Sequence, residues 1–153
     1  MTPLTWSHDD DAWIGQVTSE ELGDIEIRVA TEGELDSPTD AQRKSVAMVE
    51  ELATKGLPRL NDLARKYATE YLVEDMEDEG FEIELYAAVI PKLRDAVDPY
   101  IVFVGHSEID IEHGVAVVCK NGSKFVVTHS DVAYSAYAYD WDDTAELDQL
   151  IGG

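Results

Sequence analysis

Three of the four histidines and the only cysteine fall within one stretch, "HSEIDIEHGVAVVCKNGSKFVVTHSD", residues 106 to 131. Glu108, Asp110, Glu112 and Asp131 are interleaved with them. Imidazoles beside carboxylates can ligate a divalent metal or exchange protons with a substrate. His106, Glu112, His113 and His129 are the residues on which a metal-binding or metal-assisted hydrolytic domain would be built. The spacings do not support that chemistry. Neither HExxH nor CxxC occurs, and "DIEHG" does not match the calcium-loop pattern. Cys119 has no partners at nucleophile spacing, GxSxG is absent, and no glycine loop suits a phosphate. His113 reads either as a hydrogen-bonded residue ordering the backbone before Gly114 or as a general base beside Glu112. The residues therefore assign no catalytic group, no metal and no cofactor.

The element that must carry this stretch is a hairpin. Asn121-Gly122 between "VAVVCK" and "SKFVVTH" is the signature of a tight turn with positive φ at both positions. A two-residue loop would pair Lys120 with Ser123, Val118 with Phe125, Ala116 with Val127 and Gly114 with His129. Side chains alternate along strands, so if residues 106 to 118 were all extended, His106, Glu108, Asp110, Glu112, His129 and Asp131 would share the face of Ala116 and Val118. Glu112 would then face Asp131, a repulsive pair without a cation, which favours a strand that breaks at "SEID". Gly114 suits a bulge or a close backbone approach. Cys119 suits a small packed hydrophobe.

Upstream, "AWIGQV" and "DIEIRVA" read as strands, the second with Ile25, Ile27 and Val29 on one face and Asp24, Glu26 and Arg28 on the other. Ser37, Pro38 and Asp40 predict a helix start, and Gly56 predicts its end near Thr54. A second helix is expected from Leu60, Leu63, Ala64, Tyr67, Ala68, Tyr71 and Leu72 at i, i+3, i+4 spacing. The stretch "IELYAAVIPKLRDAV" predicts a short helix to Ile90, interrupted by Pro91, with a further turn to about Val97. Pro99 leads into a strand, "YIVFVGH". The expected fold is α+β: one domain over residues 1–153, an antiparallel sheet from the N-terminal strands and the C-terminal hairpin, and two to three central helices packed on one face.

The composition bounds the partners. Thirty-three acidic against 11 basic residues gives a net charge of -22. Such a surface repels nucleic acid and anionic lipid and attracts a basic protein. Salt adaptation produces the same excess. A lone cysteine permits no internal disulfide. No uninterrupted apolar stretch is long enough for a membrane span. The N-terminus lacks the pattern of a signal peptide. A soluble cytoplasmic protein is the expectation. The run from Glu70 to Glu84, eight acids and no base, reads as a solvated helix end and loop.

Trp13 and Gly15 in "WIG", and Glu112, His113 and Gly114 in "DIEHG", give the chain a resemblance. Together with the order of elements over about residues 12 to 131, it resembles a family of small uncharacterised bacterial proteins known as a domain of unknown function. Relatives of such domains look like the immunity proteins that accompany secreted bacterial toxins. The resemblance implies binding rather than catalysis, and carries over no catalytic residue.

Near the C-terminus, Tyr137, Tyr139 and Trp141 alternate with small or acidic residues and are followed by Asp142 and Asp143. They read either as an edge strand on the sheet or as a partner-binding surface of aromatic anchors ringed by acids. Trp6 and "HDDD" at residues 8 to 11 have the same character. The leading expectation is an acidic protein-binding module, most concretely an immunity-type protein that neutralises a basic toxin. Metal-binding and salt-adapted readings are the alternatives.

Overall fold

The computed structural model describes residues 3–20, 22–57, 63, 64, 66, 83–93, 97–107, 114–131 and 145–151. Among them, seven strands form one mixed sheet in chain order: β1 Thr5–Ser7, β2 Ala12–Ser19, β3 Gly23–Val29, β4 Glu84–Ile90, β5 Tyr100–His106, β6 Val115–Lys120 and β7 Lys124–His129. Two helices described from end to end accompany it among these residues, α1 Asp40–Lys55 and α2 Ala145–Ile151. The architecture is mainly β, which corrects the expected α+β fold with two to three central helices. Most of the expected second helix lies outside the described residues. None of the described helices is long and apolar enough to cross a membrane.

The sheet is also not purely antiparallel. β3 and β4 run parallel, with Ile27 opposite Ala88 and Val29 opposite Ile90, while every other described pair is antiparallel. A parallel pair needs a crossover, and α1 lies within this one. The decisive segment is β4, expected to be helical. Leu85, Ala88 and Ile90 enter the core beneath α1, while Ala87 and Val89 enter a second core on the other face. A strand buried on both faces loses the polar–apolar alternation that identifies strands. Its apolar run then mimics a helix, and Pro91 ends the strand rather than kinking a helix.

One face of the sheet carries Ile25, Ile27, Val29, Ile101, Phe103, Val115 and Val117, packed against Val46, Val49, Leu52 and Ala53 of α1. The other carries Val102, Val104, Ala116 and Val118, covered by Leu147 of α2. Asp148 ties α2 down by accepting hydrogen bonds from Tyr100 Oη at 2.6 Å and Lys120 Nζ at 2.8 Å. On β3, the polar Asp24, Glu26 and Arg28 take the face opposite Ile25, Ile27 and Val29, as the alternation predicts.

The start of α1 is two residues later than Ser37 predicts. Thr39 is the cap: its hydroxyl accepts from Gln42 N–H, and Gln42 Oε1 accepts from Thr39 N–H, closing a capping box. Gln42 also donates through Nε2 to Ala30 O at 2.5 Å, fastening the helix to the end of β3. Gly56 follows Lys55 with φ of 85°, a conformation costly for other residues.

Candidate functional site

The hairpin places the histidine cluster first. Asn121 and Gly122 have φ of 60° and 68°, as the turn requires, and Ser123 N–H donates to Lys120 O. The ladder, however, closes with Lys120 opposite Lys124, not Ser123. This one-residue shift sets Val115, not Gly114, opposite His129. Shifting a register by one moves every side chain to the other face. His129 therefore lies on the α1 face with Val115 and Val127, whereas His106 shares the opposite face with Val102 and Val104. The expectation that both histidines share one face is overturned.

His106 stacks on Tyr86, ring centroids 4.6 Å apart. Tyr86 occupies the register shift between Leu85 and Ala87. His129 turns to the chain that follows it: Nδ1 accepts from Asp131 N–H at 3.1 Å and lies 3.4 Å from an Asp131 carboxylate oxygen. Glu112 and His113 lie outside the described residues, as do Glu108 and Asp110. No group of three or more metal-ligating side chains converges among the described residues. Gly114 has φ of 77°, and a Cβ there would sit 2.7 Å from Gly105 O, so the close backbone approach expected of it is present. Cys119 is buried behind the turn; burial pushes its thiol up to about 11, against a smaller lowering from Gly122 N–H.

The expected partner-binding residues Tyr137, Tyr139, Trp141, Asp142 and Asp143 lie outside the described residues. The same combination of aromatics and acids is formed at the opposite end of the sheet from His106 and His129. Trp6 on β1 faces Trp13 on β2 as a direct cross-strand pair. Their rings meet edge to face at 5.7 Å, a favoured aromatic geometry. The turn between these strands carries Asp9, Asp10 and Asp11, and Asp11 adopts a φ of 53°. Ser7 fixes the turn, its hydroxyl donating to Asp10 Oδ2 and accepting from Asp10 N–H.

The loop from β3 to α1 closes on the same corner. His8 Nε2 lies 3.7 Å from Glu34 Oε2, and Trp13 Nε1 donates to Asp36 O at 3.2 Å. Asp36 pairs with Lys92 at 2.5 Å, which holds its carboxyl below the usual range; a hydrogen bond from Glu32 N–H reinforces this. The charge of Asp36 is thus largely met, while Asp9, Asp11, Glu32 and Glu34 are exposed.

Beside this corner, a cavity of about 360 Å³ opens between the β1–β2 hairpin and α1. Leu4, Trp13, Pro38, Val46 and Ala47 form its apolar walls, with Arg43 and Glu50 the charged lining residues. The volume is at the low end for ligand pockets, about 300–1,000 Å³. Sequence reasoning marked Trp6 and the "HDDD" turn but not this cavity. The signal was present in two patterns: Arg43, Ala47 and Glu50 at helical spacing, and Leu4 and Trp6 on alternate positions opposite Trp13. Their juxtaposition depends on the packing of α1 across the sheet. No family model, curated protein or solved structure matches the chain, so the functional reading rests on the site itself.

Proposed function

We propose that this protein is an acidic module that captures a basic protein, most concretely in the manner of an immunity protein neutralising a basic toxin. The observation that carries the proposal is the Trp6–Trp13 corner: an aromatic pair beside an apolar cavity, with exposed Asp9 and Asp11 on the adjoining β1–β2 turn and exposed Glu32 and Glu34 on the loop whose Asp36 carbonyl accepts from Trp13. Aromatic anchors surrounded by charge are the make-up of protein-binding hot spots. The net charge of -22 supplies long-range attraction toward a cationic surface. The corner lies at the carboxyl end of β3, where Trp13 pairs with Val29.

The test is surface kinetics against a basic protein encoded beside this gene, across a salt series. Association should be fast at low salt and slow markedly as salt screens the rim. Charge reversal at Asp9 and Asp11 should slow association while leaving dissociation nearly unchanged, because rim charges steer more than they hold. Binding indifferent to salt, or no binding, would remove the proposal and leave solvent adaptation as the better account of the charge.

A further inference from the structure

We infer that the cavity between α1 and the β1–β2 hairpin is the socket for one large apolar side chain of the partner, carried on a segment whose flanking residues are lysine or arginine. This rests on the binding function proposed above and specifies its anchor.

The cavity's chemistry selects the anchor. Five of its eight lining residues are apolar, and the indole N–H of Trp13 is already engaged by Asp36 O. The Trp13 ring therefore presents carbon surface with no unmet donor, and burying a polar group against it would be costly. An apolar side chain gives up no hydrogen bond there and gains from leaving water.

The rim's charge selects the flanks. Glu50 lines the cavity from α1, the exposed Asp9 and Asp11 lie on the adjoining β1–β2 turn, and Glu34 lies 3.7 Å from His8 of that turn. A free anionic ligand would be repelled by this field, whereas a lysine or arginine beside the anchor would be drawn to it. Arg43 fits the same occupant. Its guanidinium forms no ion pair among the described residues, and its aliphatic stem can line the cavity while the head donates to a backbone carbonyl of the docked segment.

The experiment uses the full chain, 15N-labelled, and follows the Trp13 indole N–H signal during titration with two probes. One is an amphipathic lysine–leucine peptide; the other is an oligolysine of equal charge. The expected result is a shift of the Trp13 signal with the lysine–leucine peptide alone, and tighter binding of that peptide. Ala47→Phe, from an exposed position, should fill the cavity and weaken the lysine–leucine peptide about tenfold or more, the effect of blocking a hot-spot pocket. It should leave oligolysine binding unchanged. Equal binding of the two peptides, or a Trp13 signal unmoved by either while both bind, would overturn the socket and leave the acidic binding surface standing. Failure of both peptides to bind at low salt would overturn both. The unmodified chain supplies the Trp13 readout by itself, so the test does not depend on the folding of Ala47→Phe.

Discussion

Gly122→Ala should destabilise the protein through two separable effects. Gly122 adopts φ of 68°, in the left-handed region. An alanine there costs about 1–2 kcal/mol in backbone strain. The second effect comes from α1. A Cβ on Gly122 would lie 2.5 Å from Met48 Sδ and 3.4 Å from Met48 Cε. Met48 is only half-buried and its thioether arm is flexible, so it can swing aside at a cost near the low end of overpacking, about 1 kcal/mol. The expected total is about 2–3 kcal/mol, summing the two. In a Met48→Ala background only the backbone effect should remain, giving a coupling of about 1 kcal/mol between the two sites. Urea denaturation of the four proteins in the cycle measures this, provided the m-values agree. A loss below about 0.5 kcal/mol, the size of an ordinary surface change, would show that the turn is not built as described. Equal losses in both backgrounds would show that Met48 does not seat on the turn.

Three further outcomes are expected. Gln42→Ala removes both the capping-box acceptor and the donor to the Ala30 carbonyl, so it should cost about 1–3 kcal/mol in thermal or urea unfolding; a neutral result would refute the fastening of α1 to β3. Asp148→Ala leaves the Tyr100 hydroxyl without its acceptor, and hydrogen exchange should rise in α2 before it rises in β5 and β6; unchanged protection of α2 would show that the Asp148 contacts do not hold it. Alkaline titration should destabilise the fold. Burial raises Cys119 from 9.0 to about 11, so the unfolded chain releases this proton first, and the stability it contributes is complete below about pH 9 and lost by about pH 11. Two units correspond to about 2–3 kcal/mol. Tyr100, raised chiefly by burial, and Lys120, raised chiefly by its hydrogen bond to Asp148, lose their contributions in the same direction as pH climbs. Cys119→Ala should flatten the part of the profile between pH 9 and 11, as urea midpoints across the range would show.

Local chemistry was sufficient for several features. Ile25, Ile27 and Val29 alternate with charged residues because the outer face of β3 is polar, and that contrast is written directly in the chain. Asn121-Gly122 marked the turn because few residues accept positive φ, and Gly56 marked the end of α1 for the same reason. The net charge of -22 is a property of composition alone and is the same whatever the fold. Other features were decided by contacts between distant segments. β4 is a strand because β3 and β5 pair with it and apolar cores cover both its faces; the same apolar run would suit a helix if those neighbours were absent. Thr39 rather than Ser37 caps α1, where Gln42 can also reach the carbonyl of Ala30 at the end of β3. The separation of His106 from His129 followed from a single residue in the hairpin ladder, since side-chain direction has a period of two and a slip of one reverses it. The candidate binding corner is of the same kind. Leu4, Trp6 and Trp13 carry its aromatic and apolar character in sequence, but α1 must lie beside them before Arg43, Ala47 and Glu50 complete a cavity. Residue type and period are local properties of a chain, whereas a cavity is defined by what packs around it.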